Sequence, residues 1–175
     1  MSTKLKLDDT YKQGKGITQK GKGHDMLRIA ICCGGGFSSS TMAAHLNKQL
    51  AESEYKDDVF LEFIPFSMLW GESAAFSSGT VKQRQDEVDV ALCCPHLEYP
   101  AKTAVKEGRL HIPVFILPMR LYGQINIEGV IEEAEDVLEL WNNGTPNPVV
   151  FPDEPRSMNA ARNVSHRRWL AQQGK

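Results

Sequence analysis

The 175-residue chain has no apolar run approaching the roughly 20 residues that span a bilayer. Its first 25 residues are rich in lysine and glycine and carry no apolar stretch, so no secretory signal is expected and the protein is expected in the cytoplasm. Cysteine is scarce: the four residues Cys32, Cys33, Cys93 and Cys94 form two adjacent pairs, not the spread spacing of a secreted disulfide framework. Adjacent cysteines on a strand aim to opposite faces, unlike a Cys-x-x-Cys clasp, so no metal site and no cofactor are expected. Charge of one sign is also lacking, with 20 basic and 22 acidic residues for a formal charge of −2. A basic nucleic-acid-binding core is therefore not expected, nor is a nucleic-acid partner, although basic ends could touch polyanions.

The near-neutral total conceals a segregation. Residues 1–28 hold seven basic and three acidic residues, residues 29–154 hold eight and nineteen, and residues 155–175 hold five basic and no acidic ones. An acidic body thus carries two basic ends. Composition with 41% hydrophobic and 24% charged residues is that of a globular domain long enough to bury its own core. The expected organisation is a flexible basic extension over 1–25, a folded domain over 26–142, and a proline-containing basic extension over 143–175.

Within the body, short apolar runs alternate with helical patterns. Leu27–Cys33, Val59–Ile64, Val88–Cys94 and Ile112–Leu117 read as buried strands. Helices are predicted at about 39–53, over Glu98–Glu107 with Pro100 in the first turn, and over 126–141. The last has an apolar stripe from Ile127 to Trp141 and an acidic outer face, Glu128, Glu132, Glu133, Glu135, Asp136 and Glu139, expected to meet solvent. Residues 156–170 suit a short basic helix. Phe66, Met68, Leu69 and Trp70, in the long segment after strand 2, serve either as an interface or as a lid on the core. Alternating strands and helices predict an α/β fold: one four-stranded parallel sheet, doubly wound, with helices on both faces.

The informative segment lies between strand 1 and helix 1: Cys33, Gly34, Gly35, Gly36, Phe37, Ser38, Ser39, Ser40. Open parallel sheets bind ligands at this edge. Backbone N–H groups of a glycine loop, the positive end of a helix and serine hydroxyls together suit a phosphate dianion. A thiol beside such donors ionises more readily and becomes a nucleophile, so the joint reading is a cysteine that attacks phosphorus. Three rival motifs fail. No lysine follows the glycines before Lys48, as a P-loop requires; Ser39 stands where a dinucleotide fingerprint has its third glycine; and Ser39 also stands where a small cysteine phosphatase has arginine. The loop looks built to hold a phosphocysteine rather than to hydrolyse it.

These residues resemble the IIB component of the bacterial phosphoenolpyruvate-dependent sugar phosphotransferase system, lactose/cellobiose (chitobiose) family. Its strand ends in Cys followed by x-x-Gly-Met-Ser-Thr-Ser, here Cys33 to Ser40, with Phe37 for the methionine and Ser39 for the threonine. A second correspondence runs from Asp89 to Tyr99, where Pro95 and Tyr99 match while Cys94 and His96 replace glycine and glutamine. A third is Tyr122-Gly123, with Pro118 in place of an aspartate. The resemblance covers about 27–141. It implies a phosphatase-like cysteine loop after strand 1, with Cys33 phosphorylated by a phosphohistidine of a IIA component. Gly34 to Ser40 would hold the phosphoryl group, and His96 and Tyr99 would stand on the rim. The phosphate would pass to a sugar, a β-linked disaccharide such as cellobiose, lactose or chitobiose, at the membrane IIC permease, so the protein would be peripheral at the membrane through IIC. A non-catalytic ligand-binding or regulatory relative, and a low-molecular-weight phosphatase-like enzyme, stand as alternatives.

Overall fold

The computed structural model describes residues 26–35, 37–71, 82–154 and 162–174. The extension expected over 1–25 lies outside the described residues. Four strands, β1 (Leu27–Cys33), β2 (Val59–Pro65), β3 (Val90–Cys93) and β4 (Val114–Ile116), form one sheet in the order β2-β1-β3-β4. Every pairing is parallel, with Leu27 opposite Val59, Ile29 opposite Val90 and Ala91 opposite Val114. The helices are α1 (Phe37–Glu52), α2 (Glu98–Lys106), α3 (Met119–Gln124), α4 (Ile127–Asn142) and α5 (His166–Gln172). This is the doubly wound α/β arrangement expected from the alternation of periods.

Both faces of the sheet are covered, which explains why its strands read as continuous apolar runs. Ile29, Ile31 and Leu92 pack with Leu46 of α1 and Val130 and Val137 of α4. Ala30, Cys32, Ala91 and Cys93 face the opposite way, towards Ala101 of α2 and Leu69. Phe66 and Leu69, in a 3-10 turn over Phe66–Trp70, are buried in the same cluster, so this segment closes the core. Arg84 grips its neighbourhood from the far end of the connection, pairing with both oxygens of Glu62 at 2.9 Å.

Two strands are shorter than predicted. β3 begins at Val90, because Asp89 turns its carboxylate to accept from the Arg28 N–H at 2.7 Å. β4 begins at Val114, after Pro113, which has no N–H to donate. The Asn147 side chain takes over there, accepting from Val114 N at 2.8 Å and donating to Ile112 O at 2.6 Å. Val149 then bridges to Phe115, so the described part of the tail packs along the β4 edge. The short helix α3 follows Pro118 and has no counterpart in the predicted elements, because six residues with an internal glycine show no helical period.

The acidic face of α4 meets solvent at Glu139 but not at its centre. Glu133 is fully buried and Glu132 nearly so, under the basic C-terminal segment. Arg162 spends all five guanidinium donors there: on Glu133, on Glu154 and on Val164 O. Arg168 forks onto both oxygens of Glu132 at 2.7 and 2.8 Å, and Arg167 reaches Asp136 at 2.6 Å. His166 stacks on Phe151 with centroids 3.8 Å apart. The segregated charges of the sequence therefore meet within the chain. The basic helix predicted over 156–170 is observed at His166–Gln172, while residues 155–161 lie outside the described ones.

Among the described residues, no helix is long and apolar enough to cross a membrane.

Candidate functional site

The sheet order fixes where a site can form. The chain leaves β1 for β2 on one side and later places β3 on the other, so the connections part at the carboxyl ends of β1 and β3. Cys33 is the last residue of β1 and Cys94 the first after β3, and Cys94 N donates to Cys32 O at 2.9 Å. The crevice is thus bordered by thiols.

Cys33 is 1% exposed, whereas Gly34 and Gly35 beyond it are open to solvent. Neither glycine has a left-handed backbone. A Cβ at Gly34 would meet His96 Nε2 at 3.6 Å, an ordinary contact, and one at Gly35 would meet nothing within 4 Å. The glycines therefore keep the loop bare rather than relieve strain. Gly36 lies outside the described residues. α1 starts at Phe37, so Ser38 and Ser39 belong to its first turn, where backbone N–H groups lack intrahelical partners. Ser39 is fully buried, while Ser38 and Ser40 are exposed.

His96 stands on the rim and reaches into the loop. Gly34 N–H donates to its Nε2 at 3.4 Å, and the same nitrogen lies 3.3 Å from Cys94 Sγ. A ring nitrogen that accepts carries no proton, so Cys94 is the donor of that pair. Its chemistry agrees: burial, reinforced by Cys33 and Cys32, pushes the Cys94 thiol up to about 12. Burial likewise drives Cys93 well above the usual thiol range, aided by its hydrogen bond with Cys32. Tyr99 is 80% exposed in the first turn of α2.

All four cysteines belong to one buried apolar cluster that includes Leu97 and Ala101, although Cys32 and Cys33 are neighbours within β1. They are free thiols, and among the described residues no group of three or more His, Cys, Asp or Glu could hold a metal ion.

Tyr122 joins the loop through its side chain. Its Oη lies 3.0 Å from Ser38 Oγ and 2.8 Å from Ser39 Oγ. Sequence reasoning singled out the Tyr-Gly pair but gave it no role, because α3, which carries Tyr122 to the loop, was not predicted. Cys94 was missed as a partner of His96. The signal was present, since Cys94 and His96 are neighbouring departures within one motif.

Residues 28–133, more than half of the chain, match the family model described as the PTS system, lactose/cellobiose specific IIB subunit. No curated protein matches the chain. Among solved structures, the chain is similar to the lactose-specific IIB component domain of the phosphoenolpyruvate:carbohydrate phosphotransferase system from Streptococcus pneumoniae. The two are 13% identical with a TM-score of 0.38, over 67% of this chain and 96% of that one.

Proposed function

The chain belongs to the lactose/cellobiose-specific IIB subunit family, whose general function is IIB-type phosphotransfer, and from that membership we propose that Cys33 is its phosphoryl carrier. The observation that carries this reading is the position of Cys33. It ends β1 at the parting of the sheet connections and immediately precedes a bare loop and the open N-terminus of α1. A sulfur there stands beside the exposed Gly34 and Gly35 and the N-terminal turn of α1, whose backbone N–H groups and positive end would receive a phosphoryl group.

In the first half-reaction the Cys33 sulfur attacks the phosphorus of a phosphohistidine on a IIA component. An S–P bond forms as the N–P bond breaks, and the proton given up by the thiol ends on the leaving ring nitrogen, so the histidine departs as neutral imidazole. N–H groups from Gly34 to Ser40, with the serine hydroxyls, take the non-bridging oxygens, and Phe37 lies within that stretch. In the second half-reaction a hydroxyl oxygen of a sugar held by the IIC permease attacks the same phosphorus. An O–P bond forms, the S–P bond breaks, the hydroxyl proton is released and the thiolate returns. The sugar is a β-linked disaccharide such as cellobiose, lactose or chitobiose. His96 and Tyr99 form the rim on which the partners settle, and the protein sits peripherally at the membrane while docked on IIC.

The hydrolase alternative lacks its central device. The position that a phosphatase gives to arginine is Ser39, whose hydroxyl is tied to Tyr122. Intact-mass measurement after incubation with phosphoenolpyruvate, the general phosphocarriers and a lactose/cellobiose-type IIA protein tests the proposal. A gain of about 80 Da is expected on the native chain and none on Cys33→Ser. An adduct that persists in Cys33→Ser, or no adduct on the native chain, refutes it.

A further inference from the structure

Two serine hydroxyls in the first turn of α1 share one phenol. Tyr122 reaches them from α3, more than eighty residues along the chain. Its helix is anchored from several sides. Leu121 is 1% exposed, the Tyr122 ring packs against both core clusters, and Gln124 accepts from Asn163 of the C-terminal segment at 3.2 Å. The phenol oxygen is therefore held in place independently of the loop it touches.

Counting protons shows what such a contact does. Three hydroxyl groups carry three protons, and the two contacts with Tyr122 use two of them. Tyr122 has one proton, so it cannot donate to both serines. When it donates to one and accepts from the other, the serine that receives its proton keeps its own free. One hydroxyl is then tied down while the second has a fixed oxygen and a proton to give. Without the phenol, both serine rotors would have to be ordered as a charged group arrived.

We infer that Tyr122 is a positioning residue for phosphoryl transfer at Cys33, orienting Ser38 and Ser39 so that one hydroxyl proton is available to a phosphoryl oxygen. This rests on the reading of Cys33 as the carrier. Tyr122 acts through the serines it touches, by orientation set before the reaction. The exposed rim makes the contact with the donor protein. Loss of the phenol therefore lowers the maximal rate of transfer and leaves the donor concentration for half-maximal rate unchanged.

The test is Tyr122→Phe in the full chain, which removes one oxygen and keeps the ring. Phosphorylation of Cys33 is followed by mass with phosphoenolpyruvate, the general phosphocarriers and a lactose/cellobiose-type IIA protein. The maximal rate is expected to fall about tenfold at an unchanged half-saturating donor concentration. Ser39→Ala is measured alone and in the Tyr122→Phe background, where its effect is expected to shrink, because the two groups act as a unit. A purely structural tyrosine would shift the urea midpoint without producing that coupling. A native rate in Tyr122→Phe, or strictly additive losses, overturns the inference while native labelling upholds Cys33. Absence of label on the native chain overturns the carrier reading and this inference with it. Should Tyr122→Phe not fold, Ser38→Ala and Ser39→Ala decide. At least one must slow transfer at an unchanged urea midpoint, and failure of both overturns the inference.

Discussion

Replacing Arg162 by methionine removes a charge while keeping an apolar stem over Phe115 and Phe151, whose rings lie 5.9 and 5.5 Å from the guanidinium carbon. The side chain of Arg162 is 1% exposed, that of Glu133 0% and that of Glu154 9%. No water is at hand to take over five charge-assisted hydrogen bonds. Removing one partner from a buried pair leaves the other charge uncompensated, which costs about 3–5 kcal/mol. For a chain of this length that corresponds to a fall in Tm of roughly 10 °C. The loss should also depend on pH. Burial pushes the Glu133 carboxyl up, against the pull of Arg162. A carboxyl whose value is raised by folding holds its proton more tightly in the folded state, so the stability it confers falls as pH rises through the raised value. Without Arg162 the Glu133 carboxyl moves higher still. The variant should therefore be weakest at neutral pH and recover at acid pH, where Glu133 takes up a proton. Urea unfolding followed by circular dichroism at both pH values measures this, and adding Glu133→Gln should restore about half of the loss. A loss below about 1 kcal/mol at neutral pH, or one equal at both pH values, would refute the argument that the buried charge is its cause.

Two further outcomes can be measured in the same way. Asn126 caps α4 by accepting from Gly129 N at 2.9 Å, so Asn126→Ala should cost about 1 kcal/mol, whereas a change within error would mean that the cap is replaced by solvent. The Cys94 thiol, held near 12 by burial, stays protonated in the folded protein while the unfolded thiol ionises above its ordinary value of 9.0. Stability present below that value should then be lost as pH rises through the interval, and the loss between pH 8 and about pH 10 should be smaller in Cys94→Ala. Equal alkaline losses in both proteins would show that Cys94 does not contribute.

The sequence by itself determined the sheet and the place of the loop. Buried parallel strands must be apolar on both faces, so Leu27–Cys33 and Val59–Ile64 could be read from composition and length alone, with β2 running one residue further to Pro65. The stripe from Ile127 to Trp141 likewise announces α4, because helical period is local. The Cys33 loop was legible because its chemistry lies in consecutive residues. Only the tertiary structure decided what covers the acidic face of α4, since a charged stripe reads the same whether it meets water or Arg162, Arg167 and Arg168. It also decided that Tyr122 meets Ser38 and Ser39, and that His96 meets Gly34 and Cys94. Those contacts join residues up to 84 positions apart, and no period, cap or turn in a sequence encodes a distance across a fold.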